Sequence, residues 1–414
     1  MALTKIDDAR KIIYENISET EKWEYVSIED ASMRILDEEI LSPLNLPAFD
    51  RSKMDGWAIR SIDTPGKFKI TGLLQAGAVK ESFKPAQGFS SDHVISEGET
   101  YKIMTGAPVI KGADAVLQIE KCHVEGDFVY INETVKNGFN IAKKGEDISR
   151  GQLLLPKGTV LNAHKISLIA ASGFRQVKVK KRLTVSILVT GNELLEPAFS
   201  SENPESIQIP EEGKIFNSNA WAFITLCKEN NLLGEYKGSA GDRINDFLAK
   251  LLECLDSDII IISGGVSVGD YDLVREGLNK FGADELFYKV SSKPGKPLLV
   301  SKKEKTLIFG FPGNPVSSMI GFREFLVPAI RRIYGQSEIL PLLIPAVFSG
   351  SYSKNDDREH FINIKLFKNG QTLMAEEIYT NSSGDTVSFA KADALLRVSK
   401  NRINDGDIVE VELI

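Results

Sequence analysis

Three short apolar runs, each followed by a glycine-containing loop and a helical pattern, constrain the fold of the middle of this chain most. They occupy residues 183–189, 258–262 and 306–309. Runs of this length without polar alternation are typical of strands that are buried on both faces of a parallel sheet. Strands that alternate with helices form right-handed βαβ units. We therefore predict a parallel-sheet α/β domain over residues 181–335.

The region before this domain shows a split organisation. Residues 4–45 have apolar positions at helical spacing, and helical spacing returns at 163–171. Between them, residues 47–141 carry short alternating runs separated by glycines, which predicts strands and turns. Packing of the later helix against the earlier ones would make a helical domain from 1–46 and 142–180, with a β-rich domain inserted into it.

The region after the α/β domain is again β-rich. Pro341 and Pro345 mark a linker, and the residues that follow return to short strand-like runs. We therefore predict a C-terminal β domain over residues 336–414.

Composition excludes several classes of function. Lys and Arg number 50 against 57 Asp and Glu, so the net charge of -7 gives no general attraction to nucleic acid or to an anionic membrane. The three cysteines, Cys122, Cys227 and Cys254, form neither a metal motif nor a disulfide framework, which favours a reducing compartment. The most apolar stretch, residues 339–348, is too short to span a bilayer. We predict a cytoplasmic protein that binds neither nucleic acid nor membrane.

The loops that follow the three predicted strands are candidate ligand-binding segments. In sheets of this kind, ligands bind beyond the carboxyl ends of the strands. Glycine allows close approach of the backbone, and helix N-termini offer free N–H groups that suit phosphate. A single loop of this kind is explained equally well by helix capping, but three at neighbouring strand ends favour an anion pocket. The residues assigned to ligand binding are Gly264, Gly265, Ser267, Pro312, Gly313, Asn314 and Pro315.

A lysine-bearing turn, residues 289–297, lies between the second and third strands. It contains Lys289, Lys293 and Lys296 in the sequence KVSSKPGKP. Its prolines and glycine restrict the backbone, as suits a fixed oxyanion or pyrophosphate site. A solvated hairpin tip is the alternative interpretation.

Three carboxylates are placed to join this site. Glu193 and Asp272 follow predicted strand ends, and Asp242 follows Gly241 at the start of a helical run. Hard oxygen ligands beside phosphate are what Mg²⁺ uses. Helix capping is the alternative for Asp242 and Asp272, because each precedes a helical run. The sequence predicts that the three residues bind Mg²⁺ but leaves the capping interpretation open.

Seven motifs in order resemble those of the molybdopterin molybdenumtransferases, the MoeA-type molybdenum insertases, a family that includes the C-terminal region of gephyrin. The match covers nearly the whole chain. The motifs are MDGWA at 54–58, IMTGAP at 103–108, KKGEDI at 143–148, TGNEL at 190–194, SGGVSVGDYD at 263–272, KPGKP at 293–297 and FPGNPVS at 311–317.

The resemblance implies an architecture and an assembly. It implies a helical domain split by a β insertion, a central domain similar to molybdopterin adenylyltransferases and a C-terminal β-barrel. It also implies an elongated homodimer whose site lies between the α/β domain of one subunit and the β insertion of the other. Asp55 and Thr105 would then act in trans, and Asp147 of the KKGEDI motif would contribute to substrate binding.

The chain departs from the family pattern at several positions. Asn192 replaces the aspartate of the TGDEL motif, while Glu193 is kept. The segment from Glu196 to Lys214 is longer than usual, and its role is open. Ser383 lies in a loop that matches the pterin-site loop of the family only loosely.

The resemblance implies an enzyme that inserts molybdenum from molybdate into adenylylated molybdopterin and releases AMP, with Mg²⁺ bound to the carboxylates. It implies molybdopterin adenylyltransferase and molybdoenzyme apoproteins as partners. Three alternatives stay open: the adenylyl transfer that precedes this step, a homologue that inserts tungstate, and a scaffold similar to gephyrin that does not catalyse.

Overall fold

A computed structural model describes residues 3–77, 84–85, 94–197, 208–266 and 272–414. In this part of the chain, no helix is long and apolar enough to cross a membrane. The α-helices are α1 (Ile6–Glu15), α2 (Ala163–Ala171), α3 (Asn219–Glu229), α4 (Ile244–Leu252), α5 (Leu273–Phe281), α6 (Pro315–Gly321), α7 (Val327–Ile333) and α8 (Thr386–Ala390). A π-helical segment, Phe322–Leu326, joins α6 to α7.

The predicted α/β domain contains a six-stranded sheet. In spatial order its strands are Leu233–Ala240, Thr184–Thr190, Ile259–Ser263, Thr306–Phe311, Leu299–Lys303 and Asp284–Tyr288. The first four are parallel: the three predicted strands, as expected, and Leu233–Ala240, which the sequence reasoning did not identify. Leu299–Lys303, also not predicted, runs antiparallel to both of its neighbours. The reason is that only residues 304 and 305 join the strands at 299–303 and 306–311, and a parallel crossover needs a dozen or more residues.

Helices cover both faces of this sheet. Ile259 and Ile261 of the central strand enter one buried core, whereas Ile260 and Ile262 enter the other. The first core is covered by α3, α6, α7 and α1, and the second by α4 and α5. The alternation explains why the sequence of this strand is apolar throughout.

Helix α1 packs on the α/β domain. Its Ile6, Ala9 and Ile13 are fully buried in the core that contains Leu183 and Phe309, and it contacts α7. The sequence places α1 with α2 in one split helical domain, but the packing assigns α1 to the neighbouring core. The exact domain boundaries stay a prediction.

The helix predicted over residues 28–40 is wrong. The chain forms a strand at Trp23–Ser27 and then turns, with Met33 at a φ of 61° that no α-helix contains. Leu36 is nonetheless fully buried, in a small core with Ile169 of α2. The apolar residues of this stretch are therefore buried by packing between separate segments, and not by forming one face of a helix. The split domain is mixed α/β, and its long pair of strands is Trp23–Ser27 with Gln176–Lys180.

Helix α2 has the predicted ends. The side chain of Asn162 caps its first turn, accepting a hydrogen bond from the N–H of Lys165 at 3.2 Å. Gly173 follows its last turn at a φ of 88°, the left-handed conformation predicted for this position.

The inserted domain is β-rich, as predicted. Its strands, in spatial order, are Ala115–Gln118, Gly56–Ile59, Glu99–Ile103, Gly66–Leu74, Phe128–Ile131 and His123–Glu125, with Lys84–Pro85 paired to Gly66–Leu74. Short pairs outside this sheet are Arg51–Ser52 with Ile141–Ala142, Ile40–Leu41 with Leu153–Leu155, Leu194–Leu195 with Ile215–Phe216, and Tyr352–Ser353 with Arg402–Ile403.

The C-terminal domain contains a closed barrel of five strands, and the prediction of a barrel is confirmed. Around the barrel the strands are Glu359–Asn369, Thr372–Glu377, Leu343–Ser349, Ile408–Leu413 and Ala394–Val398, which pairs again with Glu359–Asn369. Residues Ser292–Lys293 of the lysine-bearing turn add a short sixth strand beside Glu359–Asn369. This pairing joins the barrel to the α/β domain.

Candidate functional site

The loops after the three central parallel strands meet closely. The N–H of Gly264 donates to the carbonyl of Phe311 at 3.1 Å. A Cβ added to Gly264 would lie 2.5 Å from the carbonyl oxygen of Thr190, and one added to Gly313 would lie 3.8 Å from Gly264 Cα. Gly264 also has a φ of 90°, which side chains rarely adopt. Glycine at this position therefore lets all three loops approach one another.

Asn219, which the sequence reasoning did not assign to the site, links two of these loops. Its Nδ2 donates to Ser263 Oγ at 2.7 Å and to the carbonyl of Gly313 at 2.8 Å. Asn219 is buried and is the first residue of α3. The sequence showed only an Asn-Ser-Asn run at a helix start, where capping explains such residues equally well.

We expect Asn219→Ala to lower the free energy of unfolding by about 2 kcal/mol and to weaken ligand binding, because two loops lose their buried hydrogen bonds. Urea unfolding and ligand titration measure the two effects. Asn230→Ala is the matched control, since the Nδ2 of Asn230 donates to Leu226 at the far end of the same helix. Equal ligand affinity in both variants would contradict the assignment.

Among the described residues, two buried oxygen atoms at this edge of the sheet lack hydrogen-bond partners. They are Thr190 Oγ1 and Asn219 Oδ1. Such atoms cost about 1 to 3 kcal/mol each when left unpaired. Their location at the strand ends supports a site at which a ligand or ion supplies the missing partners.

Asp272 caps helix α5. Its Oδ1 accepts a hydrogen bond from the N–H of Arg275 at 3.1 Å, which confirms the capping alternative for this residue. The cap uses one carboxylate oxygen, and the other, Oδ2, is buried. Burial, followed by a side-chain hydrogen bond with Asp272, raises the pKa of Tyr288. Asp272 is therefore both a helix cap and a charge that lies beside Tyr288.

The other two predicted carboxylates, Glu193 and Asp242, do not cap a helix. Arg243, not Asp242, is the residue at the start of α4, and Asp242 is exposed. A Cβ on Gly191 would lie 2.5 Å from Glu193 Oε2, so the Glu193 carboxylate lies over the Gly191 backbone. The capping alternative is wrong for Asp242.

The three carboxylates do not form a ready-made metal site. Across the described residues, no group of three His, Cys, Asp or Glu side chains is placed to hold a metal ion. Binding of Mg²⁺ by Glu193, Asp242 and Asp272 together stays a prediction. Mg²⁺ usually keeps several waters and is held by one or two carboxylates together with substrate phosphates, so a single carboxylate such as that of Asp272 fits such an ion.

The lysine-bearing turn is not a solvated hairpin tip. Val290 is fully buried, and only 2% of Ser292 is exposed. A Cβ on Gly295 would lie 3.5 Å from the carbonyl of Ser317 in α6, which places the turn beside the FPGNPVS loop and its helix. The backbone of the turn is thus fixed, while the Lys293 side chain is exposed to solvent.

The turn also places the other two lysines. Lys289 adopts a φ of 70°, and its Nζ lies 4.5 Å from the ring centre of Tyr288. Lys296 contributes its carbonyl to the hydrogen bond that closes the turn on Val290, at 3.0 Å, and its side chain is partly exposed.

The C-terminal domain reaches the same loops. Asn314 Nδ2 donates to Ser383 Oγ at 2.7 Å. Pro315 begins α6 directly after Asn314, and the Ser318 hydroxyl donates to the carbonyl of Pro312. The loop that resembles the family pattern least is therefore in contact with one of the motifs that matches it well. A role for Ser383 in binding stays a prediction.

Asp55 and Thr105 form a pair in the inserted domain. The N–H and the hydroxyl of Thr105 both donate to Asp55 Oδ1 at 2.6 Å. These hydrogen bonds from Thr105 lower the pKa of the Asp55 carboxyl below its usual value. The two motifs therefore form one local unit, whose action on a second subunit stays a prediction.

Asp147 lies in an exposed loop next to this unit. The neighbouring Glu146 accepts a salt bridge from Lys53 at 2.6 Å, and Lys143 pairs with Asp50 at 2.9 Å. These contacts fix the KKGEDI loop beside the Asp55 motif, and Asp147 itself is exposed. Ser267 and residues 198–207 of the long segment lie outside the described residues.

Models of known protein families match three successive regions of the chain. Family models match residues 4–173 (MoeA N-terminal region, domain I and II), 186–332 (probable molybdopterin binding domain) and 345–414 (MoeA C-terminal region, domain IV). The crystal structure of the molybdopterin biosynthesis moeA protein from Pyrococcus horikoshii OT3 is similar, with a TM-score of 0.80, 28% identity and 100% coverage of both chains.

Two curated relatives extend this similarity. The molybdopterin molybdenumtransferase of Staphylococcus aureus (strain MRSA252) is 33% identical over 382 residues, which cover 90% of this chain and 86% of the relative. The molybdopterin molybdenumtransferase of Bacillus subtilis (strain 168) is 32% identical over 386 residues, which cover 90% of this chain and 85% of the relative. With this identity over nine-tenths of its length and the same order of domains, the chain belongs to the MoeA family of molybdopterin molybdenumtransferases.

Proposed function

We propose that the protein transfers molybdenum from molybdate to adenylylated molybdopterin and releases AMP. The observation that carries the proposal is the meeting of three glycine loops, a fixed lysine turn and the Ser383 loop at one edge of the sheet. Such an edge suits a large anionic ligand, because the backbone approaches it closely and positive charge lies nearby. The names of the curated relatives support the molybdenum transfer.

The lysine turn supplies the positive charge. Lys289, Lys293 and Lys296 stand on a backbone that is anchored by buried residues, so the positions from which their side chains extend are fixed. Fixed cations lower the energy of an oxyanion and of charge that develops on a cleaved pyrophosphate. The carboxylate of Asp272, with Glu193 and Asp242 on adjacent loops, would hold Mg²⁺ against the phosphates. That ion would neutralise phosphate charge when bound.

We expect Lys293→Ala or Lys296→Ala to weaken oxyanion binding by about 1.5 to 3 kcal/mol, the value of a charge-assisted hydrogen bond. Equilibrium titration with molybdate and with adenylylated molybdopterin measures the loss. Lys302→Ala is the control, because Lys302 lies on the adjacent strand and donates to the carbonyl of Asn16, away from the turn. Unchanged affinity in the two turn variants would leave the lysines without a role in binding.

The Asp55 and Thr105 pair would complete the site of a second subunit. The pair belongs to the inserted domain, whereas the glycine loops and lysine turn belong to the α/β domain. We therefore propose a homodimer in which each site uses both subunits. Molybdopterin adenylyltransferase would supply its substrate and molybdoenzyme apoproteins would accept its product, in the cytoplasm.

Mixing Asp55→Ala subunits with Asp272→Ala subunits is expected to restore activity, since each mixed dimer keeps one intact site. Each variant alone should be inactive. For random mixing, the highest expected rate is about a quarter of the wild-type rate. Half of the dimers are mixed, and each mixed dimer keeps one intact site out of two. AMP release after subunit exchange measures it. Sites built within one subunit would stay inactive in every mixture.

The decisive experiment incubates the purified protein with adenylylated molybdopterin, Mg²⁺ and either molybdate or tungstate. AMP release without ATP consumption, together with reconstitution of a molybdoenzyme apoprotein, is the expected result. ATP consumption would indicate adenylyl transfer, and tight binding without turnover would indicate a scaffold. Comparison of the two oxyanions determines the metal preference.

A further inference from the structure

The backbone of the lysine turn is attached on two sides by segments from outside the α/β sheet. On one side, the N–H of Thr4 donates to the carbonyl of Lys289 at 3.2 Å, and the N–H of Ser291 donates to the carbonyl of Thr4 at 2.8 Å. On the other side, the N–H of the barrel residue Glu359 donates to the carbonyl of Ser291 at 2.9 Å. The turn is thus held between the N-terminal segment and the barrel.

The same two outer segments are joined to each other by side chains. Arg397 of the barrel makes a bidentate ion pair with Glu359, in which Nη2 lies 2.9 Å from Oε1. Arg397 also contacts Asp7 in the first turn of α1, at 3.2 Å. Asp7 is three residues from Thr4, so the contacts form a closed ring. We call this ring the clamp: Thr4, Asp7, Ser291, Glu359 and Arg397.

Charge and burial make Arg397 the centre of the clamp. Its side chain is 31% exposed, and that of Glu359 is 20% exposed, so solvent screens this pair only in part. Although burial opposes it, the carboxylates of Glu359 and Asp7 raise the pKa of Arg397. A planar guanidinium can bind two carboxylates at once with fixed geometry, whereas an ammonium group cannot.

The barrel side of the clamp is itself rigid. His360, which pairs with Lys293 in the strand register, is buried. Its Nδ1 lies 2.7 Å from the hydroxyl of Tyr352, and its Nε2 lies 2.9 Å from Asp356 Oδ1. Burial lowers the pKa of His360, while the hydrogen bond with Asp356 acts to raise it. These contacts anchor the strand that carries Glu359 and pairs with the turn.

We propose that Arg397 is a positioning residue for the oxyanion site: through Glu359 and Asp7 it fixes the backbone of the lysine turn and so places Lys293 and Lys296. The inference rests on the proposed function, because it gives the lysines a ligand. Arg397 need not touch that ligand. Its effect passes through the backbone contacts of Ser291 and Thr4.

The test compares Arg397→Gln with Arg323→Gln. Arg323 also joins the α/β domain to the barrel, since its Nε and Nη2 lie 3.1 Å and 2.6 Å from Oε1 of Glu412, but it does not belong to the clamp. Loss of either arginine removes an ion pair to the barrel, that of Arg397 with Asp7 or that of Arg323 with Glu412. Only loss of Arg397 should alter the turn.

We expect Arg397→Gln to speed hydrogen exchange at the amides of Val290 and Ser291 and to raise KM for molybdate roughly two- to tenfold, with kcat at saturating molybdate nearly unchanged. Arg323→Gln should change neither quantity. Asp7→Asn, which removes the exposed end of the clamp, should give a smaller change in the same direction and serves if Arg397→Gln does not fold.

The outcomes separate this inference from the proposed function. If Lys293→Ala leaves KM for molybdate unchanged, the lysines do not bind the oxyanion and the proposed function fails. If Lys293→Ala raises KM but Arg397→Gln affects neither KM nor exchange, the clamp does not position the turn. Equal effects in Arg397→Gln and Arg323→Gln would show general loosening of the domains and would also overturn the inference.

Discussion

Replacing Arg10 by Met is expected to lower the free energy of unfolding by about 3 to 5 kcal/mol, the largest stability effect we anticipate for a single substitution. Arg10 on α1 forms an ion pair with Glu324 in the π-helical segment, and its Nε donates to the carbonyl of the same residue at 2.9 Å. Both side chains are more than nine-tenths buried. Methionine keeps most of the volume but leaves a buried carboxylate without its partner. Chemical denaturation measures the loss.

The double variant Arg10→Met with Glu324→Leu provides the control. Replacing a buried ion pair by apolar residues of similar volume is often neutral or stabilising, because two charges no longer have to leave water. We therefore expect the double variant to regain most of the stability that Arg10→Met loses. A double variant as unstable as the single one would show that Arg10 acts through packing alone.

The pH dependence of Arg10→Met follows from Glu324. Burial raises the pKa of Glu324 to about 7, while Arg10 acts to lower it. A group whose pKa is raised on folding contributes stability at low pH that is lost as the pH rises through its folded pKa. Removing Arg10 raises that pKa further, so the variant should approach wild-type stability near pH 5 and lose most at pH 8. Melting curves at the two pH values measure this change.

The parts of the fold that the sequence predicted are those in which local pattern and tertiary packing agree. The strand at Ile259–Ser263 is buried on both faces, and its sequence is apolar at every position before Ser263. The ends of α2 agree with the predicted helical run at 163–171, and the residues that cap it in the structure, Asn162 and Gly173, act locally. The glycine loops were predicted for the same reason, since close backbone approach requires a missing side chain.

The parts that were missed depend on contacts between distant segments. Residues 28–40 have helical spacing but are buried by α2 and the strand after it, which sequence spacing does not reveal. Asn219 acts through Ser263 and Gly313, which are 44 and 94 residues away. Arg10 lies 314 residues from Glu324. The only sequence signal for this ion pair is a charged residue on an apolar helix face.

Replacing Asp272 by Asn is expected to reduce AMP release by roughly a hundredfold while leaving the melting temperature almost unchanged. The cap on α5 needs only a short side-chain acceptor for the N–H of Arg275, and Asn ranks with Asp in that role. The cap uses only Oδ1, and the buried Oδ2 makes no hydrogen bond with the helix, so the negative charge of the carboxylate is not needed for capping. Steady-state AMP release at several Mg²⁺ concentrations and a thermal melt measure the two quantities.

Asp272→Ala separates the two roles within the same position. Alanine removes the charge and the cap together, so activity should fall as in Asp272→Asn, but unfolding should also become easier by about 1 kcal/mol. If the residue were only a cap, Asn would keep near-normal turnover even at low Mg²⁺, and only Ala would be impaired. If it binds a cation, the two variants share the catalytic defect and differ only in stability. The comparison works because only one of the two carboxylate oxygens serves the helix.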